Sequence, residues 1–201
     1  IVGAFQLAYT IFQPLCGWLI DVIGLKLGFM VCATLWAVAC IAHAGAGSWL
    51  HLAILRFFMG GAEAAATPAN AKTIGEWFPK SERPIAAGWA GVGFSIGAML
   101  APPIIYFAHA SFGWQGAFMF TGVLALLWVV LWWVFYQSPE KHPNLSQSEL
   151  EYIKQDNEAP PVKQPFFTAL KTVSKNKRFY GIAIPAFMAE PAWAVLSFWV
   201  P

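Results

Sequence analysis

The chain has 201 residues, of which 58% are apolar, 16% aromatic and only 11% charged, with a formal net charge of +2. Soluble domains carry about 25% charged residues, so the deficit excludes an ordinary soluble domain and points to an all-α membrane protein. The small net charge gives no basis for nucleic-acid binding, since no basic patch is interleaved with aromatics outside residues 137–178.

Five long apolar stretches and a partial sixth follow in order: 1–20, 27–46, 50–75, 85–109, 115–136 and 180–201. Each is close to the roughly 20 residues needed to cross the hydrocarbon core, and lipid leaves the backbone no partner but its own helix. The chain opens inside one such stretch and closes inside another, so it reads as part of a longer membrane protein. The expected organisation is five transmembrane helices over 1–136, a loop with an amphipathic helix over 137–178, and an incomplete further helix over 179–201.

In the first stretch Gln6, Tyr9 and Gln13 recur at spacings of three and four, forming one polar face on an apolar helix. That face either hydrogen-bonds to neighbouring helices or lines an aqueous cavity. Cys16, Cys32 and Cys40 lie in apolar runs without metal-ligand spacing and read as small core residues.

The joints alternate in charge. Lys26 sits in the first, Lys80 and Arg83 in the third, and Lys141, Lys154, Lys163, Lys171, Lys175, Lys177 and Arg178 in the fifth; the second and fourth hold no Lys or Arg. The positive-inside rule makes the first, third and fifth joints cytoplasmic. Trp49, Trp77, Trp114, Tyr136 and Tyr180 mark helix ends, where an interfacial aromatic belt belongs.

The third stretch carries Arg56 and Glu63 in an otherwise apolar helix. A charge at the bilayer centre costs about 2.5–3.5 kcal/mol on insertion scales, so such residues usually face a cavity or a partner. Their spacing of seven is two helical turns, which puts both on one face about 10 Å apart. Asn70 extends that face by another seven. A cation for an anionic ligand beside a titratable acid suits a proton-coupled carrier of acids; a buried structural ion pair is the competing reading. Lys72 and Glu76 read as interface residues whose charged heads snorkel toward water.

The fourth stretch holds Gly88, Gly91, Gly93 and Gly97, spacings that allow close helix packing. Pro102-Pro103 should bend it. In the fifth joint, Ser146-Gln-Ser-Glu149 is a capping box that opens a short helix. His43, His51 and His109 are scattered without metal-ligand spacing, and no HExxH, GxSxG or supported Ser/His pair is present, so neither a metal site nor an enzyme is expected.

Gly17-x-x-x-Asp21-Val22-Ile23-Gly24-Leu25-Lys26 resembles the loop signature of the major facilitator superfamily, with Val22 where a basic residue is usual. The run from Arg56-Phe-Phe-Met-Gly-Gly-Ala-Glu63 through Pro68-Ala-Asn70 to Glu76-Trp-Phe-Pro79, with Ala101-Pro-Pro103 and Ala189-Glu190-Pro-Ala-Trp193, is similar to the anion:cation symporters of that superfamily, hexuronate transporters among them.

The resemblance implies a partial twelve-helix bundle covering family helices two to seven. It implies proton-coupled symport of an organic anion, with no cofactor beyond the proton, by an inner-membrane and monomeric full-length protein. Arg56, Tyr9, Gln13, Asn70, Glu190 and Trp193 are the implied substrate contacts. Glu63 is the implied proton-coupling acid, and Gly17, Asp21, Gly24 and Lys26 form the gating motif. Ala186 stands where hexuronate transporters often carry arginine, four residues before the acid.

Overall fold

The structure, a computed structural model, describes residues 1–156 and 164–199, with side chains described up to residue 189. Among these residues all regular structure is helical: α1 (Val2–Ile23), α2 (Leu25–Ala42), α3 (Trp49–Glu63), α4 (Ala66–Trp77), α5 (Arg83–Phe135), α6 (Gln147–Ile153), α7 (Phe166–Lys175) and α8 (Lys177–Trp199). Short 3-10 turns cover His43–Gly45 and Pro139–Lys141. Residues 1–161 form one unit; 162–201, with α7 and α8, form another.

The first joint is shorter than the sequence suggests. Helix α1 runs through Asp21 to Ile23, and α2 begins at Leu25, so Gly24 alone makes the turn. Its φ of +91° is open to glycine and strained for other residues. The 50–75 stretch is not one helix: it divides into α3 and α4 at Ala64–Ala65. Pro68 is the reason. It has no N–H to return to the Ala64 carbonyl, and its ring crowds that carbonyl. The Ala65 N–H instead bonds Ala62 at 3.4 Å, tightening the turn.

Helix α5 has 53 residues, and a straight helix of that length would part its ends by about 80 Å. Yet Arg83 at its start donates to the Gly75 carbonyl (3.0 Å), and Tyr136 just past its end donates to Glu76 (2.7 Å). Both ends therefore lie beside the end of α4, and the chain reverses at Gly113, the residue within α5 with non-helical dihedrals (φ 71°, ψ −177°). The two expected apolar stretches are the two limbs, 83–112 and 114–135. Dihedrals stay helical through Pro102 and Pro103, so the interruption falls at the glycine and not at the proline pair.

Leu25–Gly45 and Arg83–Phe135 are long and apolar enough to cross a membrane. Gln6, Tyr9 and Gln13 lower the hydropathy of α1, and the break at Ala64–Ala65 shortens α3 and α4 to 15 and 12 residues.

The core joins α1, α2, α4 and the end of α5: Cys16, Ile20, Leu25, Phe29, Cys32, Ala64, Ala65, Ala69 and Tyr136. All three cysteines are free and buried, as expected of small core residues. Phe29 sits edge-on to Trp128 and Trp132, at 5.2 and 5.1 Å, which fixes the second limb of α5 against α2. The first limb stays open at Gly88, Gly91, Gly93 and Gly97, where an added Cβ would meet nothing within 4 Å. The close helix approach expected at those glycines is absent among the described residues.

Candidate functional site

Helices α1 and α3 cross at Gly60 and Gly61. A Cβ on Gly60 would lie 2.5 Å from the Phe5 carbonyl oxygen, and Gly61 faces the ring of Phe12. The Cys16 thiol points at the Gly61 carbonyl (3.5 Å), and Phe12 meets Phe57 edge-on at 6.0 Å. This crossing sets the polar residues of α1 beside those of α3 and α4. Tyr9 shares a hydrogen bond with Thr67 (3.0 Å), the residue before the helix-breaking proline.

Arg56 and Glu63 both lie half-buried on α3. Among the described residues no ion pair within 4 Å joins them. The Arg56 guanidinium lies over the ring of Phe118, 6.0 Å from its centroid, on the second limb of α5. A structural ion pair does not account for this arrangement. Gln13 is half-buried and Gln6 exposed. Asn70 sits on α4 beyond the break, so a single helical repeat does not set its register with Arg56 and Glu63. Glu190 and Trp193 fall outside the residues whose side chains are described.

The motif residues gather at the other end of the bundle. Gly17 packs against Pro68, its would-be Cβ 3.5 Å from that ring. Asp21 accepts from the Lys72 ammonium at 2.6 Å, and Lys72 also reaches the Ile20 carbonyl at 3.4 Å. Lys72 is only 19% exposed, so it is a cross-helix partner and not a snorkelling residue. Glu76 likewise accepts from Tyr136. The Lys26 carbonyl accepts from the Trp132 indole at 3.2 Å. A cavity of about 370 Å³ is lined here by Gly24, Lys26, Glu76, Tyr136, Ser138 and Lys141. Another, of about 430 Å³, is lined by Gly17, Asp21, Pro68, Lys72 and Glu76. These cavities lie at the motif, away from Arg56 and Glu63.

Residues 137–156 are tied to the α4–α5 corner. Tyr152 donates to Glu82 (2.6 Å), the Lys80 N–H donates to Asp156 (2.6 Å), and Trp77 meets His142 edge-on. The carboxylate of Glu82 holds the Tyr152 phenol above its ordinary range. The capping box is present, and the Ser146 backbone N–H holds the Glu149 carboxyl below its ordinary range. Glu140 is held low first by its own backbone N–H and then by Lys154, 3.0 Å away.

Thr67, Phe118, the burial of His43 and the pairing role of Lys72 escaped the sequence reading. Thr67 and Lys72 lie on α4, four and nine residues after Glu63, where the assumed single helix hid them. Phe118 and His43 carry no local signal, because aromatics are common throughout the chain.

The sequence model of the Major Facilitator Superfamily matches residues 1–201. The chain belongs to that superfamily. It is an all-α integral membrane protein, and its six-stretch pattern is a partial helical bundle of this fold. It is 44% identical over its full length to the hexuronate transporter of Escherichia coli (strain K12), covering 47% of that protein. It is 43% identical to the galacturonate transporter of Dickeya chrysanthemi, covering 59% of it. It is 28% identical to a D-galactonate transporter of Escherichia coli O6:H1, covering 49%. The chain thus spans about half the length of the curated relatives it matches. Among the described residues no group of three His, Cys, Asp or Glu could hold a metal ion.

Proposed function

We propose that the whole protein is a secondary active transporter that carries a sugar acid, such as a hexuronate, together with a proton across a bacterial inner membrane. The observation that carries the reading is the pair Arg56 and Glu63, on one helix two turns apart, not joined to each other, in a chain similar over its full length to hexuronate and galacturonate transporters. The guanidinium of Arg56 forks onto the substrate carboxylate, which an ammonium cannot do. Tyr9 and Thr67 offer hydroxyls to the sugar, with Gln13 and Asn70 as amide partners.

Coupling follows from charge. An anion on Arg56 occupies the positive charge that otherwise serves Glu63. Proton uptake by Glu63 then removes the uncompensated carboxylate, so each ligand favours the other. The Asp21–Lys72 pair holds one gating state at the cytoplasmic end. The protein acts as a monomer.

The test uses full-length protein in proteoliposomes. Glu63→Gln mimics the protonated acid. It should keep exchange between two filled sides and lose accumulation driven by a pH gradient. Gradient-driven accumulation in the glutamine variant would remove Glu63 as the coupling group. Ala186 and the D-galactonate relative favour a second reading within the same class, a carrier of aldonates, in which hexuronate uptake is weak and aldonate uptake strong.

A further inference from the structure

Among the described residues His43 is a fully buried polar side chain (0% exposed) that the proposed mechanism leaves unused. Its Nδ1 lies 2.6 Å from the Ala39 carbonyl. A carbonyl only accepts, so Nδ1 carries the proton and Nε2 presents a lone pair. That Nε2 is buried with no hydrogen-bond partner. The ring is stacked on Phe118, centroids 4.9 Å apart and planes within 14°. Phe118 is the same ring over which the Arg56 guanidinium lies.

A buried acceptor without a donor is costly, so the neighbouring donors matter. The Thr121 hydroxyl is committed to the Ala117 and Phe118 carbonyls at 2.9 and 3.2 Å. The Cys40 thiol lies against Thr121 and the Phe118 carbonyl. Arg56, on α3, shares the Phe118 ring with His43. A guanidinium has five N–H donors, and a contact with a ring face uses none of them as a hydrogen bond. A second proton on Nε2 would set two cations side by side in an apolar place, so the neutral acceptor is the form that fits Arg56.

We propose that His43 is a positioning residue for Arg56: its open Nε2 accepts an N–H when the flexible guanidinium, which rests on the shared Phe118 ring, turns toward it. The fixed ring, clamped at Nδ1 and stacked on its face, gives a flexible arginine one preferred place from which to meet a carboxylate. This deepens the functional proposal and rests on Arg56 being the substrate anchor, but its first readout needs no substrate.

Phenylglyoxal reacts with accessible guanidino groups, and more slowly with those whose N–H groups are engaged. In full-length transporter, labelling of Arg56 is followed by peptide mass spectrometry in wild type, His43→Phe, His43→Met and His43→Gln. The first two lack an acceptor, and His43→Met serves if His43→Phe yields no folded protein. The glutamine places an amide oxygen near the position of Nε2. Labelling should rise about tenfold in the acceptor-free variants and stay near wild type in His43→Gln, the size expected for losing one hydrogen bond to a charged group. Equal rates in all four proteins, or a glutamine variant as reactive as phenylalanine, overturn the proposal. In uptake assays His43→Phe should raise KM for a hexuronate about tenfold with kcat within about twofold, and His43→Gln should restore KM. An unchanged or lowered KM overturns the positioning role. Absence of hexuronate uptake by wild type overturns the functional reading alone and leaves the labelling result to judge His43.

Discussion

Replacing Gly60 with alanine, and separately its neighbour Gly61, tests the α1–α3 crossing that builds the candidate site. At Gly60 the new Cβ would stand 2.5 Å from the Phe5 carbonyl oxygen and 3.0 Å from its ring. Ordinary C···O approaches begin at about 3.3 Å, so α1 must retreat by roughly 0.8 Å. The obstacle is backbone, and no rotamer relieves it. Overpacking of this kind costs about 1–3 kcal/mol, against a gain of about 1 kcal/mol from alanine's better helix propensity. At Gly61 the nearest atoms are Phe12 ring carbons at 3.4–3.7 Å, an ordinary contact, so the propensity gain stands alone. Gly60→Ala should therefore lower the thermal midpoint of the detergent-solubilised full-length protein by several degrees, at roughly 2–4 °C per kcal/mol. Gly61→Ala should match or exceed wild type. Size-exclusion chromatography after heating, read by intrinsic fluorescence, gives both midpoints. A Gly60→Ala protein as stable as wild type would mean that the helices do not approach as described.

Arg56→Lys should lose most transport although it keeps the charge, because bidentate geometry is lost; normal uptake by the lysine variant would show that a point charge suffices. Asp21→Asn and Lys72→Gln should each shift the balance of inward- and outward-open states, measured by cysteine accessibility, and the double variant should shift it no further than either alone. An additive double variant would separate the two residues. For α6 the pH sign is set by Glu149, whose carboxyl is held low by the Ser146 N–H. A depressed carboxylate stabilises above its unfolded value and is lost as pH falls through the folded value. Amide exchange at residues 147–153 should therefore stay protected at neutral pH and rise only below the ordinary carboxylate range. Glu149→Gln should remove most of that acid dependence, and an unaltered profile in this variant would assign it elsewhere.

The sequence showed where the helices lie because apolar runs and charged joints are local features. Asp21 was legible as a member of the gating motif, and the reversal at Gly113 falls inside the uncharged joint at 110–114. The break at Ala64–Ala65 was not legible, because Arg56, Glu63 and Asn70 at spacings of seven imitate one unbroken helix. Pro68, which breaks the helix, lies inside that repeat. Lys72 was misread for a related reason: burial and partner are tertiary facts, and a lysine near a helix end has the same local sequence whether it snorkels or pairs with Asp21. His43 and Phe118 became visible only when α2 and the second limb of α5 were set side by side.

The reversal at Gly113 has a consequence for how the chain enters the bilayer. The connecting residues Ala110, Ser111, Phe112, Gly113 and Trp114 carry no charge, while Lys80 and Arg83 lie at the base of the first limb and Lys141 follows the second. Moving the tip across the hydrocarbon therefore transfers no ion, whereas inverting the pair would drag three cations with it. The two limbs should consequently be delivered together, as one hairpin whose tip is translocated and whose base is retained. A positive charge engineered at Ser111 would tax that step during biosynthesis, although the finished bundle leaves the position exposed and could house the side chain without strain.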